Sequence, residues 1–211
     1  MLIRKGAEAD LYLEEWHGLD VIFKKRAQKK YRISKLDLEI RRSRTIRESQ
    51  LIHDAKLAGV PTPVIYAVDT ASTTIIMQQI KGRRVKEALD NLDPRDIEKL
   101  CLHVGELIGR MHKNGIIHGD LTTSNMIVCD SGKIFFIDFG LGEHSKETED
   151  RGVDLFLMKR ALQGAHHLCA EECFNTLIKG YSEEIGADVA EEVFKKVEEI
   201  SRRGRYIAER L

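Results

Sequence analysis

In the first third of the chain, apolar and polar residues alternate over short stretches. Alternation of this kind puts every second side chain on one face of a pleated strand. It predicts strands over residues 10–16, 19–24, 64–69 and 73–79. Between the second and third of these, Leu36, Ile40, Ile46, Leu51, Ile52 and Ala55 partly follow helical spacing and predict one long helix over 34–57. The run Gly59-Val60-Pro61-Thr62-Pro63 ends that helix and turns the chain into the next strand. Beyond Gly82 the period becomes mostly helical, with helices expected over 85–92, 93–112, 152–163, 170–185 and 188–203. The second of these opens on Asp93 as cap and Pro94 in the first turn. The last carries the apolar stripe Val189, Val193, Val197 and Ile200. Two short apolar runs, 126–128 and 134–137, interrupt the helical half. The pattern therefore predicts an α+β chain of two lobes. Residues 1–80 form a small antiparallel sheet with one major helix, residues 81–201 are mainly helical, and residues 202–211 make a basic tail.

Composition narrows the partners. Charged residues are 32% of the 211 but cancel to a formal net charge of zero, so overall charge implies neither nucleic acid nor membrane. Locally, eleven Lys or Arg stand between Lys24 and Arg47 against only Asp37 and Glu39, a flank open to RNA phosphates or an acidic partner, or equally to plain solvation as a helix face. The four cysteines form no CxxC pair and follow no secretory signal, which predicts reduced thiols in a cytoplasmic protein. His166, Cys169 and Cys173 can share a helical face, but without a fourth ligand nearby a core-facing helix is the better reading than zinc. No apolar run nears the roughly 20 residues that span a bilayer, so a soluble protein without membrane partners is expected.

Two segments carry chemistry: HGDLTTSNMIV at 118–128 and KIFFIDFGLG at 133–142. Together they resemble the catalytic loop and metal-binding turn of the protein-kinase superfamily, with Asp120 addressing the acceptor and Asn125 and Asp138 holding magnesium. The residue types suit the task. Magnesium is a hard cation that takes a few carboxylate or amide oxygens and neutralises phosphoryl charge. A nucleophile needs a carboxylate to orient it or accept its proton. Either tripeptide alone would read as a turn; in order, each beside a strand-like run, they read as a site. A kinase-like site also needs a strand lysine for the ATP phosphates and a helical glutamate to hold it. Lys24 is the candidate, with Lys25 and Arg26 as rivals, and Glu48 its partner. By the same resemblance, adenine sits against the segment after Met77 and uses backbone groups of Gln78 and Ile80, and the phosphates meet Gly6, Ala7, Glu8 and Ala9.

The chain departs from ordinary protein kinases. Its glycine loop is reduced to KGAEADLY, with Glu8 where a carboxylate is unfavourable; Gly119 replaces the arginine that reads a phosphorylated activation loop; Thr122 replaces the lysine presented to the terminal phosphate. About a dozen residues separate Asp138 from the next expected helix, without an APE sequence, and only three helices follow. Taken with KKRAQKKYR, GVPTPVIYAVD, HGDLTTSNM and EDRGVDLFLMKRA, the chain resembles the small atypical kinase/ATPase subunit of the KEOPS complex, in an archaeal stand-alone form.

That resemblance implies a minimal kinase fold and an ATP- and Mg2+-dependent activity that supports threonylcarbamoyl adenosine modification of tRNA, working more as an ATPase than as a protein kinase, with Ser/Thr autophosphorylation. It implies a catalytic transferase subunit docked on the C-lobe, a small subunit on the N-lobe, and tRNA near Arg202, Arg203, Arg205 and Arg210. Asp154 matches the kinase aspartate that braces the catalytic loop, although a plain N-terminal helix acid would read the same. The alternatives are a Ser/Thr protein kinase, a small-molecule phosphotransferase of the aminoglycoside or choline-kinase type, and a nucleotide-binding scaffold. Thr122-Thr123 and the short C-terminal part speak against the small-molecule enzyme, and Asp120 against the scaffold.

Overall fold

The computed structural model describes residues 1–208, with side chains through Arg203. Strands β1 (Leu2–Lys5), β2 (Ala9–Trp16), β3 (Leu19–Arg26), β4 (Ile65–Asp69) and β5 (Thr74–Gln78) form one antiparallel sheet in the order β1-β2-β3-β5-β4. The β2–β3 hairpin turns at His17-Gly18, both at positive φ, a conformation that suits glycine and costs histidine. Helix α1 (Ser34–Leu57) lies between β3 and β4. Its inward face is mixed, because the buried set is Asp37, Thr45, Glu48, Leu51, Ile52 and Ala55.

The second half is built on helix α3 (Pro94–Lys113), which follows the short β6 (Arg83–Arg84) and α2 (Val85–Leu89). Asp93 caps α3 by accepting from the N–H groups of Arg95 and Asp96, with Pro94 in the first turn, as its sequence predicts. Leu100, Val104, Leu107, Ile108 and Met111 form its buried stripe. Helix α5 (Ala170–Ile185) packs closely along α3. A side-chain carbon at Gly105 would lie 1.8 Å from the Leu177 carbonyl oxygen, and one at Gly180 2.1 Å from that of Leu102, so glycine is required on both sides of this contact. Helices α4 (Thr148–Ala165) and α6 (Ala187–Ala208) complete the helical body.

Between α3 and α4 the chain forms β7 (Ile116–Ile117), a 3-10 turn at Thr123–Asn125, β8 (Met126–Val128), β9 (Ile134–Phe136) and β10 (Glu143–His144). β8 pairs with β6 and β9, and β10 with β7. This ribbon lies at the foot of the five-stranded sheet, so the two chemical segments face β3 and α1.

The expected boundaries shift at several places: β3 runs on to Arg26, α2 stops at Leu89, and three further differences bear on the site and the tail. β1 was not anticipated, since its four residues are all exposed and show no alternation. α4 begins at Thr148 rather than 152, in a polar run without periodicity. α6 continues to Ala208, so Arg202 and Arg203, expected in a tail, stand on a helix.

Candidate active site

The catalytic-loop segment follows β7 and is held from below. Buried Asp154, on α4, accepts the backbone N–H of His118 at 2.6 Å through one carboxylate oxygen and that of Gly119 at 2.9 Å through the other. His112 on α3 reaches the first oxygen from 3.3 Å and meets the Tyr181 hydroxyl at 3.1 Å on its other nitrogen. Asp154 is thus a brace on the loop and more than a helix-end acid. Gly119 has φ +77, and a side-chain carbon there would sit 2.2 Å from the Leu141 carbonyl oxygen, which explains why no arginine can occupy this position. His118 is buried against Phe139, donates from Nε2 to the Ile137 carbonyl and accepts from the Asp120 N–H at Nδ1. Burial pushes its pKa down, and both bonds fit the neutral ring.

The 3-10 turn brings Asn125 back to Asp120: its Nδ2 donates to the Asp120 carbonyl at 2.9 Å and to the carboxylate at 2.8 Å. The Asn125 Oδ1 is left as the acceptor. Asp138 follows β9 with φ +65, a backbone region uncommon for a residue with a side chain and frequent at working sites.

From the other side, Lys24 on β3 bonds Glu48 Oε1, and its Nζ lies 2.5 Å from Asp138 Oδ1. Burial lowers the Lys24 pKa, but Glu48 and Asp138 together outweigh it and hold the ammonium above the ordinary lysine value. Burial raises the Asp138 pKa, yet Lys24 outweighs that and holds it below the ordinary aspartate value. Arg26, two residues on and therefore on the same face of β3, donates from Nη2 to Glu48 Oε2 at 2.6 Å. Glu48, 1% exposed, is shared by two cations. Lys25, the other rival, points to the opposite, exposed face.

Two cavities meet at Lys24 and Asp138. One, about 250 Å³, has apolar walls from Leu11, Ile22, Pro63, Met77, Ile127 and Ile137, and Gln78, Ile80 and Asn125 also line it. The Gln78 N–H is spent on the Val64 carbonyl, so of its backbone groups only the carbonyl can serve a ligand. The other, about 180 Å³, lies under Gly6, Ala7, Glu8 and Ala9, beside Arg26, Asp120 and Gly140. A flat apolar slot opening onto a charged chamber matches the two ends of a nucleotide.

The protein kinase domain family matches residues 15–186. A KEOPS complex subunit Bud32 from Pyrococcus abyssi is 46% identical over 97% of this chain and 96% of its own length. The chain belongs to the Bud32 branch of the protein kinase family. Two further relatives are each named a probable bifunctional tRNA threonylcarbamoyladenosine biosynthesis protein. The one from Methanothermobacter thermautotrophicus is 44% identical over 97% of this chain, and the one from Methanocaldococcus jannaschii is 39% identical over 98%. This chain spans 36% and 37% of their lengths.

Within that family frame, the structure brings together Lys24, Glu48, Asp120, Asn125 and Asp138, with Gly6 to Ala9 above them and Met77, Gln78 and Ile80 at the apolar end. Sequence reasoning missed Arg4, which lines both cavities, and the partnership of Arg26 with Glu48. The two-residue period of β3 was the available signal for Arg26. Much of the basic flank is used internally: Arg41 and Arg32 meet Asp37, Arg44 meets Glu8, and Lys29 and Arg42 reach backbone carbonyls. Arg203 pairs with Glu149 and Glu199, and Arg202 lies 3.7 Å from Glu198. The Arg205 side chain and Arg210 lie outside the described residues. His166 faces Asp90 at 2.8 Å, and the four cysteines are free thiols. Burial pushes the Cys169 thiol up to about 11. Among the described residues no helix is long and apolar enough to cross a membrane.

Proposed function

We propose that this protein is an ATP- and magnesium-dependent phosphotransferase whose main acceptor is water, acting in the cytoplasm as the ATPase of a KEOPS-type assembly that modifies tRNA. The observation that carries the reading is the convergence of Asp120, Asn125 and Asp138 with the Lys24–Glu48 pair at the junction of the two cavities.

The residues fit the reactants. Asn125 Oδ1 and the Asp138 carboxylate are hard oxygen donors of the kind magnesium takes, and magnesium bound there supplies charge neutralisation for the phosphate oxygens. Arg26, 3% exposed, has a buried Nε without a partner among the described residues, as expected beside an anion site. A side-chain carbon at Gly140 would lie 3.3 Å from Asp138 Oδ1 and 3.5 Å from Arg26 Nη2, so glycine keeps room beside both. Lys24 leaves Asp138 to meet the phosphates while Glu48 retains it. Asp120, oriented by Asn125, accepts a proton of the attacking water as its oxygen bonds the terminal phosphorus. The bond from that phosphorus to the bridging oxygen breaks, ADP leaves with the oxygen, and the proton passes to solvent.

Water is favoured over a peptide hydroxyl because only nine residues separate Asp138 from α4, leaving only a short segment there to seat a peptide. Transfer to a Ser or Thr of the chain itself would use the same residues. The names of the relatives support the assembly: one is called a KEOPS subunit, and the others join this chain's counterpart to threonylcarbamoyladenosine biosynthesis. We assign the catalytic transferase subunit to the helical part, a small subunit to the sheet, and tRNA contact to the basic C-terminal residues.

The test is ATP turnover with magnesium, alone and with the transferase subunit and tRNA, for the natural chain and Asp120→Ala, following free and protein-bound phosphate separately. Partner-dependent free phosphate that falls at least about a hundredfold in the variant is the expected result. Phosphate landing mainly on protein, with or without the partner, would sink the ATPase reading.

A further inference from the structure

The chamber on the phosphate side holds an arginine with unspent bonding capacity. A guanidinium carries five N–H donors. Arg26 directs Nη2 at the Glu48 carboxylate, 2.6 Å away, and at the Arg44 carbonyl, 3.4 Å away. Its Nε is buried and has no partner among the described residues. Its Nη1 comes only within 3.9 Å of Glu8 Oε2, too far for a hydrogen bond. A buried Nε without an acceptor is unfavourable unless one completes it at some stage of the working cycle, and Nη1 beside it is also unspent. The other buried cation of the chamber, Lys24, is already matched by Glu48 and Asp138.

A carboxylate lies near the unused side of Arg26, in an unexpected place. Glu8 lies at the tip of the turn between β1 and β2, over the chamber, with its side chain 45% exposed. Arg44 on α1 holds it at 2.6 Å, and Arg26 lies behind it. Negative charge at this point would oppose a triphosphate if it stayed. Two arginines facing one small anion form the arrangement that also suits a terminal phosphoryl group, and Glu8, with its side chain 45% exposed, has solvent to move into once an anion replaces it on them.

We propose that Arg26 is a cation for the terminal phosphate of the nucleotide and that Glu8 occupies its place until the nucleotide arrives. The inference rests on the ATP reading above and adds a selectivity device to it. Glu8 competes with the third phosphate but not with the first two, so the chamber discriminates triphosphate from diphosphate through an exchange of anions on Arg26 and Arg44. A diphosphate leaves Glu8 in position; a triphosphate displaces it.

The experiment is calorimetric binding of ADP and of the non-hydrolysable β,γ-imido triphosphate, both with magnesium, to the full chain and to Glu8→Gln, Arg26→Lys and the double variant. Glu8→Gln should bind the imido triphosphate about five- to tenfold more tightly, with ADP changed less than about twofold. Arg26→Lys keeps the charge on Glu48 but loses the fork, and it should weaken the triphosphate alone by about tenfold. In the double variant the Glu8→Gln gain should vanish. Equal changes for both nucleotides, or a gain that survives Arg26→Lys, would overturn the exchange while leaving nucleotide binding intact. Should Arg26→Lys fail to fold, Glu8→Gln decides alone, since its side chain is at the surface. If neither nucleotide binds the natural chain, the ATP reading itself falls and this inference falls with it.

Discussion

Helices α1 and α3 are both long and both central, yet they are held by different forces. α3 buries an apolar stripe and meets α5 at a distance only glycine allows. α1 buries Asp37, Thr45 and Glu48 beside Leu51, Ile52 and Ala55, and many of its anchors are polar or ionic: Asp37 with Arg32 and the Lys29 N–H, Glu48 with Lys24 and Arg26, Arg44 with Glu8. Dispersion between close-packed surfaces is lost steeply with small displacement, whereas ion pairs can exchange partners. The helical body therefore fixes the catalytic loop through Asp154, and although Leu51, Ile52 and Ala55 of α1 join its apolar core, Lys24 meets Asp138 through an ion pair that a ligand can compete for.

The comparison can be broken first on the α3 side. Gly105→Leu forces a side chain into the Leu177 backbone, and it should abolish cooperative unfolding or lower the unfolding free energy from a urea titration by about 3 kcal/mol or more. A variant that unfolds like the natural chain would mean that the two helices are not locked as described. On the α1 side, Glu48→Gln removes the charge two buried cations share. We expect a stability loss of about 2 kcal/mol, with ATP turnover lowered at least about a hundredfold, so that function suffers more than fold. Equal damage to both would erase the contrast. The smallest effect is expected from Asp37→Asn, a modest fall in thermal midpoint with faster amide exchange in α1 and unchanged exchange in α3.

Acid dependence sharpens the same point. The hydrogen bond from Arg41 is the main reason the Asp37 carboxyl titrates below the ordinary aspartate value. Its contribution is complete above the unfolded value and is lost as pH falls through the depressed one. The Asn variant should lack that part of the acid loss, measured as thermal midpoint between about pH 5 and pH 2.

Asp120, Asn125 and Asp138 were legible in the sequence because each lies in a short local segment whose turn chemistry is its own. The sheet-and-helix division was legible because the period changes from two to 3.6 near Gly82. What depended on pairing was not. Gly105 and Gly180 are ordinary helix residues until α3 and α5 are known to touch. Arg26 competed with Lys24 for one role because sequence cannot show one carboxylate accepting from both. β1 has no alternation to read, and Arg202 and Arg203 looked like a tail because the apolar stripe of α6 thins out before the helix ends.

The left-handed backbone of Asp138 bears on how any replacement there should be interpreted. At φ +65 an alanine carries a steric cost that asparagine bears more easily, its short amide being among the side chains that tolerate this region. An alanine variant would thus alter the course of the chain into Phe139 together with the charge, and a dead protein would not say which mattered. Asparagine separates electrostatics from conformation at the position where this molecule makes them hardest to tell apart.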